Sequence, residues 1–431
     1  MQIKKIPAQL VKKNWEHKQI DVYPICPLEH SMGPKVFMRY VGTKFTGKQF
    51  SLLSIAISNN FKIECHGILN NEIEDFILKN NYKIISDHIS RKIRYKKICN
   101  SIKPVWILIE DINKEKKLII FTAPGIENLQ QYSMLLTTAV IFLLSKGRSL
   151  NSYQKSIQFI KNCRFYHYDF KHFNYTKLIG LDDFLKENRS NRGSFIIGDI
   201  ALETLKEEIS NLHTLENEYY FDEFSIVDIN LNNSKNKITF VMIKPSFWGS
   251  LAGQIADSCI KNGKARDIIY VAKLGAIDKN IKTFDLVNPN NFFLSNTSMR
   301  QIAPPPPSIS SDIINKYNIV STTHVSVPTV MEETTVKINF FSSININTID
   351  NEISYIAKAI SDHNSTTNDF VKFSCLHMVT DMPSSNIIGS IEDQIIDTNH
   401  LLSKSSFIYR NKKEGFHKKA ISIILENFDS N

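Results

Sequence analysis

Apolar and polar positions alternate in two periods along this chain. Val105–Glu110 and Lys117–Thr122 alternate at period two around Asn113-Lys114-Glu115 and predict a hairpin. Val36–Val41 predicts a strand and Glu72–Asn80 a short helix. Pro124-Gly125 breaks the chain before a helix expected over Ile126–Lys146. Its most apolar run, Met134–Leu144, rises about 1.5 Å per residue and cannot span a hydrocarbon core of roughly 30 Å. That run predicts a buried core helix. Residues 1–185 therefore have the pattern of an α+β domain of unknown role.

The polar segment Asp182–Arg192 sets the expected boundary, and residues 186–431 have a different pattern. Ser194–Ile200 predicts a strand and Leu202–Leu212 a helix. Phe224–Asn230 and Lys237–Ile243 predict a second hairpin. Trp248–Asn262 has helical amphipathicity, and Asp267–Val271 is apolar enough for a buried strand. Lys337–Phe341 predicts a strand, Glu352–Ser361 a helix and Phe373–Val379 a strand. Strands alternating with helices predict an α/β domain with a largely buried sheet.

The length of 431 residues fits two domains, and 42% hydrophobic residues suffice for real cores. Lys and Arg number 52 against 43 Asp and Glu, a net charge of +9 that suits an anionic ligand without naming it. The six cysteines, at positions 26, 65, 99, 163, 259 and 375, are scattered without zinc spacing. Buried reduced thiols in a cytoplasmic protein are expected. The N-terminal residues carry no apolar signal segment.

Gly42 to Lys48 matches GxxxxGK, but Gln49 stands where a phosphate loop needs a hydroxyl for Mg²⁺. A surface turn is the expectation. Phe165–Phe173 mixes aromatics with His and Lys, which could stack bases or hold a metal; a twisted strand with one face on the core is the expectation. Pro304-Pro305-Pro306-Pro307 predicts a stiff loop inside the domain.

Several segments of the second half, in order and spacing, are a stronger signal. They are Gly249-Ser250-Leu251-Ala252-Gly253 with Lys264–Ile277; Asp285-Leu286-Val287 leading to Asn296–Arg300; Ser321–Val325 with Glu332-Glu333-Thr334; and Asp350-Asn351-Glu352 followed by Leu376–Asp381. Together they resemble the nucleoside phosphorylase superfamily, the purine and uridine phosphorylase and nucleosidase type, over about residues 190–431. The resemblance implies a three-layer α/β/α sandwich with a mixed sheet. It implies cleavage of the N-glycosidic bond of a nucleoside or nucleotide, by phosphorolysis or hydrolysis, in nucleoside metabolism. It further implies no metal or other cofactor, no membrane or nucleic-acid partner, and a homo-oligomer.

By the same resemblance, Glu352 would accept hydrogen bonds from the ribose hydroxyls and Asp381 would protonate the leaving base. Lys273 and Gly275 would form the anion turn, with Asn351, Thr380 and Glu333 lining the substrate. This chain departs from the pattern at that turn. Tyr270 replaces an Arg, Ala272 a Gly, and Lys273 a Ser. Lys273 could serve as a point charge for phosphate, for a phosphate on the substrate, or as the partner of Asp285. Arg300 and His324 are further anion contacts to consider, with His324 expected in the core. A divergent biosynthetic enzyme acting on another ligand, or a non-catalytic nucleotide-binding or partner-binding module, are the alternative readings.

Overall fold

The computed structural model describes residues 17–20, 30–31, 37, 40–42, 44–68, 72–88, 104–144, 155–156, 158–168, 174–189, 191–198, 200–209, 214–221, 223–231, 237–243, 249–296, 298–383 and 407–429. These fall into two compact units, one within residues 9–173 and 328–334, the other within 174–327 and 335–431.

The smaller unit carries a six-stranded sheet in the order β1-β6-β2-β5-β4-β3. The strands are β1 (His17–Ile20), β2 (Lys62–Gly67), β3 (Lys83–His88), β4 (Val105–Glu110), β5 (Lys116–Thr122) and β6 (Cys163–Tyr168). Its helices are α1 (Gly47–Ser58), α2 (Ile73–Lys79) and α3 (Ile126–Leu144). The β4–β5 hairpin forms as expected, with Lys114 at φ 61 and the Asp111 carboxylate accepting from the backbone of Asn113 and Glu115. The GxxxxGK segment leads into a helix. Thr46 caps α1, and Gln49 completes a capping box by accepting from the Thr46 N–H at 2.8 Å. The residue that disqualified a phosphate loop is thus a helix-start device. The expected strand at Val36–Val41 is not observed. Its described residues Phe37, Tyr40 and Val41 are helical, and their burial at i, i+3, i+4 is a helix face. Of Phe165–Phe173, residues up to Tyr168 are strand and the rest lie outside the described residues.

The larger unit holds a ten-stranded sheet. Its strands are β7 (Gly193–Gly198), β8 (Thr214–Tyr220), β9 (Phe224–Asn230), β10 (Lys237–Ile243), β11 (Ala265–Ala276), β12 (Leu286–Ser295), β13 (Met299–Ile302), β14 (Val320–Ser326), β15 (Thr348–Asp350) and β16 (Lys372–Asp381). Helices are α4 (Leu181–Asn188), α5 (Leu202–Ile209), α6 (Ser250–Lys261), α7 (Ser311–Lys316), α8 (Thr335–Ser343), α9 (Ile353–Thr366) and α10 (Phe407–Asp429). The polar segment 182–192 is largely α4, anchored by buried Leu181, Phe184 and Leu185. Arg189 just beyond it pairs at 2.7 Å with the fully buried Asp228 of β9.

One face of the sheet, with Ile196, Phe240, Ile269, Val271, Leu376 and Met378, shares a core with α5, α7 and α10. On β7, a Cβ at Gly198 would stand 2.1 Å from the Val271 carbonyl oxygen, so the β7–β11 pair tolerates only glycine there. The proline tract connects β13 to α7. The Pro306 carbonyl accepts from Phe373 N–H at 2.7 Å, tying the loop to the start of β16. The strand expected at Lys337–Phe341 is part of α8 instead. Ile338 and Phe341 are buried three residues apart, while Phe340 is half exposed, which a strand's alternation would not give.

The feature that matters for the site is a closed circuit of pairing. Strand β11 pairs β16, β16 pairs β12, β12 pairs β14, β14 pairs β15, and β15 returns to β11. The sheet curls on itself into a small barrel whose inward residues are enclosed. Cys65, Cys163, Cys259 and Cys375 are buried free thiols. No helix of the described residues is long and apolar enough to cross a membrane.

Candidate active site

Gly275 near the end of β11 is the meeting point. It is in register with Ile349 of β15 on one side and with Asp381 of β16 on the other. The barrel therefore carries Lys273-Leu274-Gly275, the Asp350-Asn351-Glu352 turn and the Thr380-Asp381 strand end to one rim. A Cβ at Gly275 would lie 3.0 Å from Asp381 Oδ2 and 3.2 Å from the Pro383 ring. Glycine permits that approach. The Thr380 hydroxyl stands 3.0 Å from Asp381 Oδ1 and 3.4 Å from the Leu274 carbonyl oxygen.

The Glu352 turn is held from beneath. Asp350 accepts from the Ile353 N–H at 2.9 Å and so caps α9. Glu352, the residue at the cap position itself, makes no side-chain capping bond. Asn351 braces the turn: its Nδ2 donates to the Val327 carbonyl at 2.7 Å, and its own carbonyl accepts from Gly249 N–H. Gly249 adopts φ 56, a left-handed conformation that favours glycine. Gly253 allows α6 to touch α9, since a Cβ would meet the Tyr355 carbonyl oxygen at 3.0 Å.

Inside the barrel, Asp350 is the centre of a buried network. His324 Nε2 lies 2.8 Å from its Oδ1, and the Ser326 hydroxyl donates to the same oxygen at 2.6 Å. His324 Nδ1 reaches the Thr348 hydroxyl at 3.0 Å. Ser326 Oγ in turn accepts from the Ser354 N–H at 2.8 Å. Hydrogen bonds to a buried carboxylate are each worth about 1.5–3 kcal/mol, which lets Asp350 stay ionised here. Burial works to raise its pKa, but His324 and Ser326 outweigh it and hold the carboxyl below its ordinary range. Glu352 goes the other way. Burial first, then the adjacent Asp350 carboxylate, push it well above the ordinary range, with the Lys273 ammonium opposing. The two carboxyls are driven apart, one toward the anion and one toward the acid.

Lys273 is thus within electrostatic reach of Glu352. Asp285, its other candidate partner, accepts from the Lys282 backbone N–H at 2.8 Å. Tyr270, at the position where the resemblance expects Arg, is buried with its ring against His377, centroids 4.8 Å apart. Arg300 is exposed on the edge strand β13. His324 is a core residue, as expected, but one that positions the Glu352 turn. Glu333 belongs to the smaller unit, where its carbonyl accepts from Ser31 N–H. Among the described residues, no cluster of His, Cys, Asp and Glu could hold a metal ion.

No protein-family model and no curated protein matches the sequence. Solved structures do. A futalosine hydrolase mutant of Helicobacter pylori is similar at 11% identity over 56% of this chain and 100% of its own, with a TM-score of 0.41. A 5′-methylthioadenosine/S-adenosyl homocysteine nucleosidase of Campylobacter jejuni gives the same identity, coverage and score. The corresponding enzyme of Neisseria meningitidis, in complex with methylthio-immucillin-A, is 13% identical over 56% of this chain and 99% of its own, with a TM-score of 0.37.

Proposed function

We propose that the larger unit cleaves the N-glycosidic bond of a nucleoside or nucleotide, within a three-layer α/β/α arrangement. The observation that supports this reading most is the register at Gly275, which sets Asp381 and the Glu352 turn on either side of one strand end. The reaction needs a group on each side of the scissile bond. Positive charge develops on the sugar and negative charge on the base, so a donor at the base and hydrogen bonds to the sugar diol both lower the barrier.

In this reading Asp381 donates the proton to the leaving base. Glu352, biased toward its protonated form, both accepts from and donates to the vicinal hydroxyls. Lys273 supplies positive charge for a phosphate carried by the substrate. Gly275 and Thr380 hold the Asp381 carboxyl, and Asn351 fixes the turn.

The test is base release from a panel of purine and pyrimidine nucleosides and their 5′-phosphates, with and without inorganic phosphate, by the full chain. Release that Asp381→Asn abolishes supports the reading. No release from any member sinks it and leaves a binding module.

A further inference from the structure

The barrel interior contains one group that the mechanism above leaves idle. His377, on β16, is fully buried, and neither ring nitrogen has a hydrogen-bond partner among the described residues. Its neighbours are polar. Tyr270 of β11 meets it edge-on, and it lies in the fields of both Asp350 and His324. The Ser354 hydroxyl, whose backbone N–H joins the Asp350 network through Ser326, is likewise buried and without a partner among the described residues. An imidazole with both nitrogens unsatisfied in a dry interior is costly, and such groups in native proteins are met by a ligand or an enclosed water.

We propose that His377 holds the acceptor water of the glycosidic cleavage inside the barrel, making the reaction a hydrolysis. The inference rests on the reading of the site given above. The chemistry of the neighbours selects the acceptor. The ionised Asp350 beside His377 repels a phosphate dianion, and Tyr270, whose ring packs on the imidazole, offers it no positive charge. A neutral water suits these groups. The imidazole accepts from it with one nitrogen, and burial, which outweighs the pull of Asp350 and lowers the His377 pKa to about 3, keeps that nitrogen unprotonated.

The step balances. The water oxygen bonds to C1′ as the C1′–N bond breaks, and the bonding pair leaves with the base, which takes the Asp381 proton. The oxygen now on C1′ is strongly acidic, so a weak base suffices to take its surplus proton. That proton passes from His377 to bulk water, and Asp381 recovers one from the same source.

The experiment measures product, rate and melting temperature for the full chain and for His377→Phe and His377→Gln. With a nucleoside as the substrate, free ribose as the product is expected even in phosphate buffer. So is a ten- to hundredfold loss of kcat in His377→Phe, with a smaller loss in His377→Gln, which keeps a polar atom for the water. A crystal structure is expected to show an ordered water on a His377 nitrogen in the unsubstituted chain. Formation of ribose 1-phosphate would overturn the proposal while leaving the glycosidic cleavage intact. A His377→Phe variant that melts higher with undiminished kcat would overturn it too, by showing a core histidine only. No base release from the unsubstituted chain would remove the cleavage reading, and the acceptor role with it.

Discussion

Asp381 and Gly275 face each other across paired strands, and a Cβ built on Gly275 would stand 3.0 Å from the Asp381 carboxylate oxygen. The β11 backbone cannot retreat, because it is paired on both edges at this point. Gly275→Ala should therefore displace the carboxylate and the Pro383 ring rather than the strand. A ten- to hundredfold fall in kcat, roughly, is expected from a displacement of this kind. The melting temperature should change little, and kinetics alongside thermal melting check both halves.

Asp381→Asn should keep the fold and lower kcat by about a hundredfold or more, since an amide cannot deliver the carboxylic proton. Steady-state kinetics on the best nucleoside of the panel decide it. A near-normal kcat would move the acid elsewhere.

Glu352→Gln exchanges a carboxyl for an amide beside Asp350. It should lower kcat/KM for a ribonucleoside about tenfold, and much less for the 2′-deoxynucleoside, which lacks one of the hydroxyls in question. Equal losses on the pair would take Glu352 off the 2′-hydroxyl.

Lys273→Ala tests the cation at the rim. KM for a nucleoside 5′-phosphate should rise about ten- to hundredfold, as one charge-assisted hydrogen bond is worth roughly 1.5–3 kcal/mol. The matching nucleoside should be spared. Parallel KM values that do not diverge would show a structural lysine.

Two buried histidines set an acid limit on stability. Burial lowers His30 to about 4, against the raising effect of its bond to the Val330 carbonyl, and lowers His377 to about 3. Unfolding returns both to an ordinary value near 6.5, so below that pH the unfolded chain binds more protons. Stability is full above about pH 6.5 and declines as the pH falls toward 4. Urea midpoints measured from pH 7 to pH 5 should drop, and His30→Gln and His377→Gln should each flatten the slope. A flat profile in the unsubstituted chain contradicts the assignment.

Much of the larger unit was legible because its strands are short, nearly continuous apolar runs bounded by polar segments. Phe224–Asn230 and Lys237–Ile243 were bounded to the residue. Lys337–Phe341 misled because five residues with three apolar side chains fit either period, and only the burial of Ile338 with Phe341 resolves the helix. Asp350 was visible as part of a turn motif, but its partners were not. They come from strands remote in sequence, and the barrel's closure brings them together. One signal was available: Thr322, His324 and Ser326 alternate on β14, a polar stripe at period two on a buried strand. His377 offered none, since a single histidine among Cys375, Leu376, Met378 and Val379 resembles any core position.

The chain leaves the larger unit after Val327 and rejoins it at Thr335, and the residues in between belong to the smaller one. There Thr334 bridges His30, the Val330 carbonyl lies 2.9 Å from His30 Nε2, and the Thr329 hydroxyl donates to Gln131. Order of synthesis follows from this. The smaller unit is still missing a segment when residues 9–173 have left the ribosome, and it must wait until most of the other unit's strands have been made. Cutting the gene between Phe173 and Asn174 would yield one fragment that lacks its own 328–334 and another that carries it without a seat.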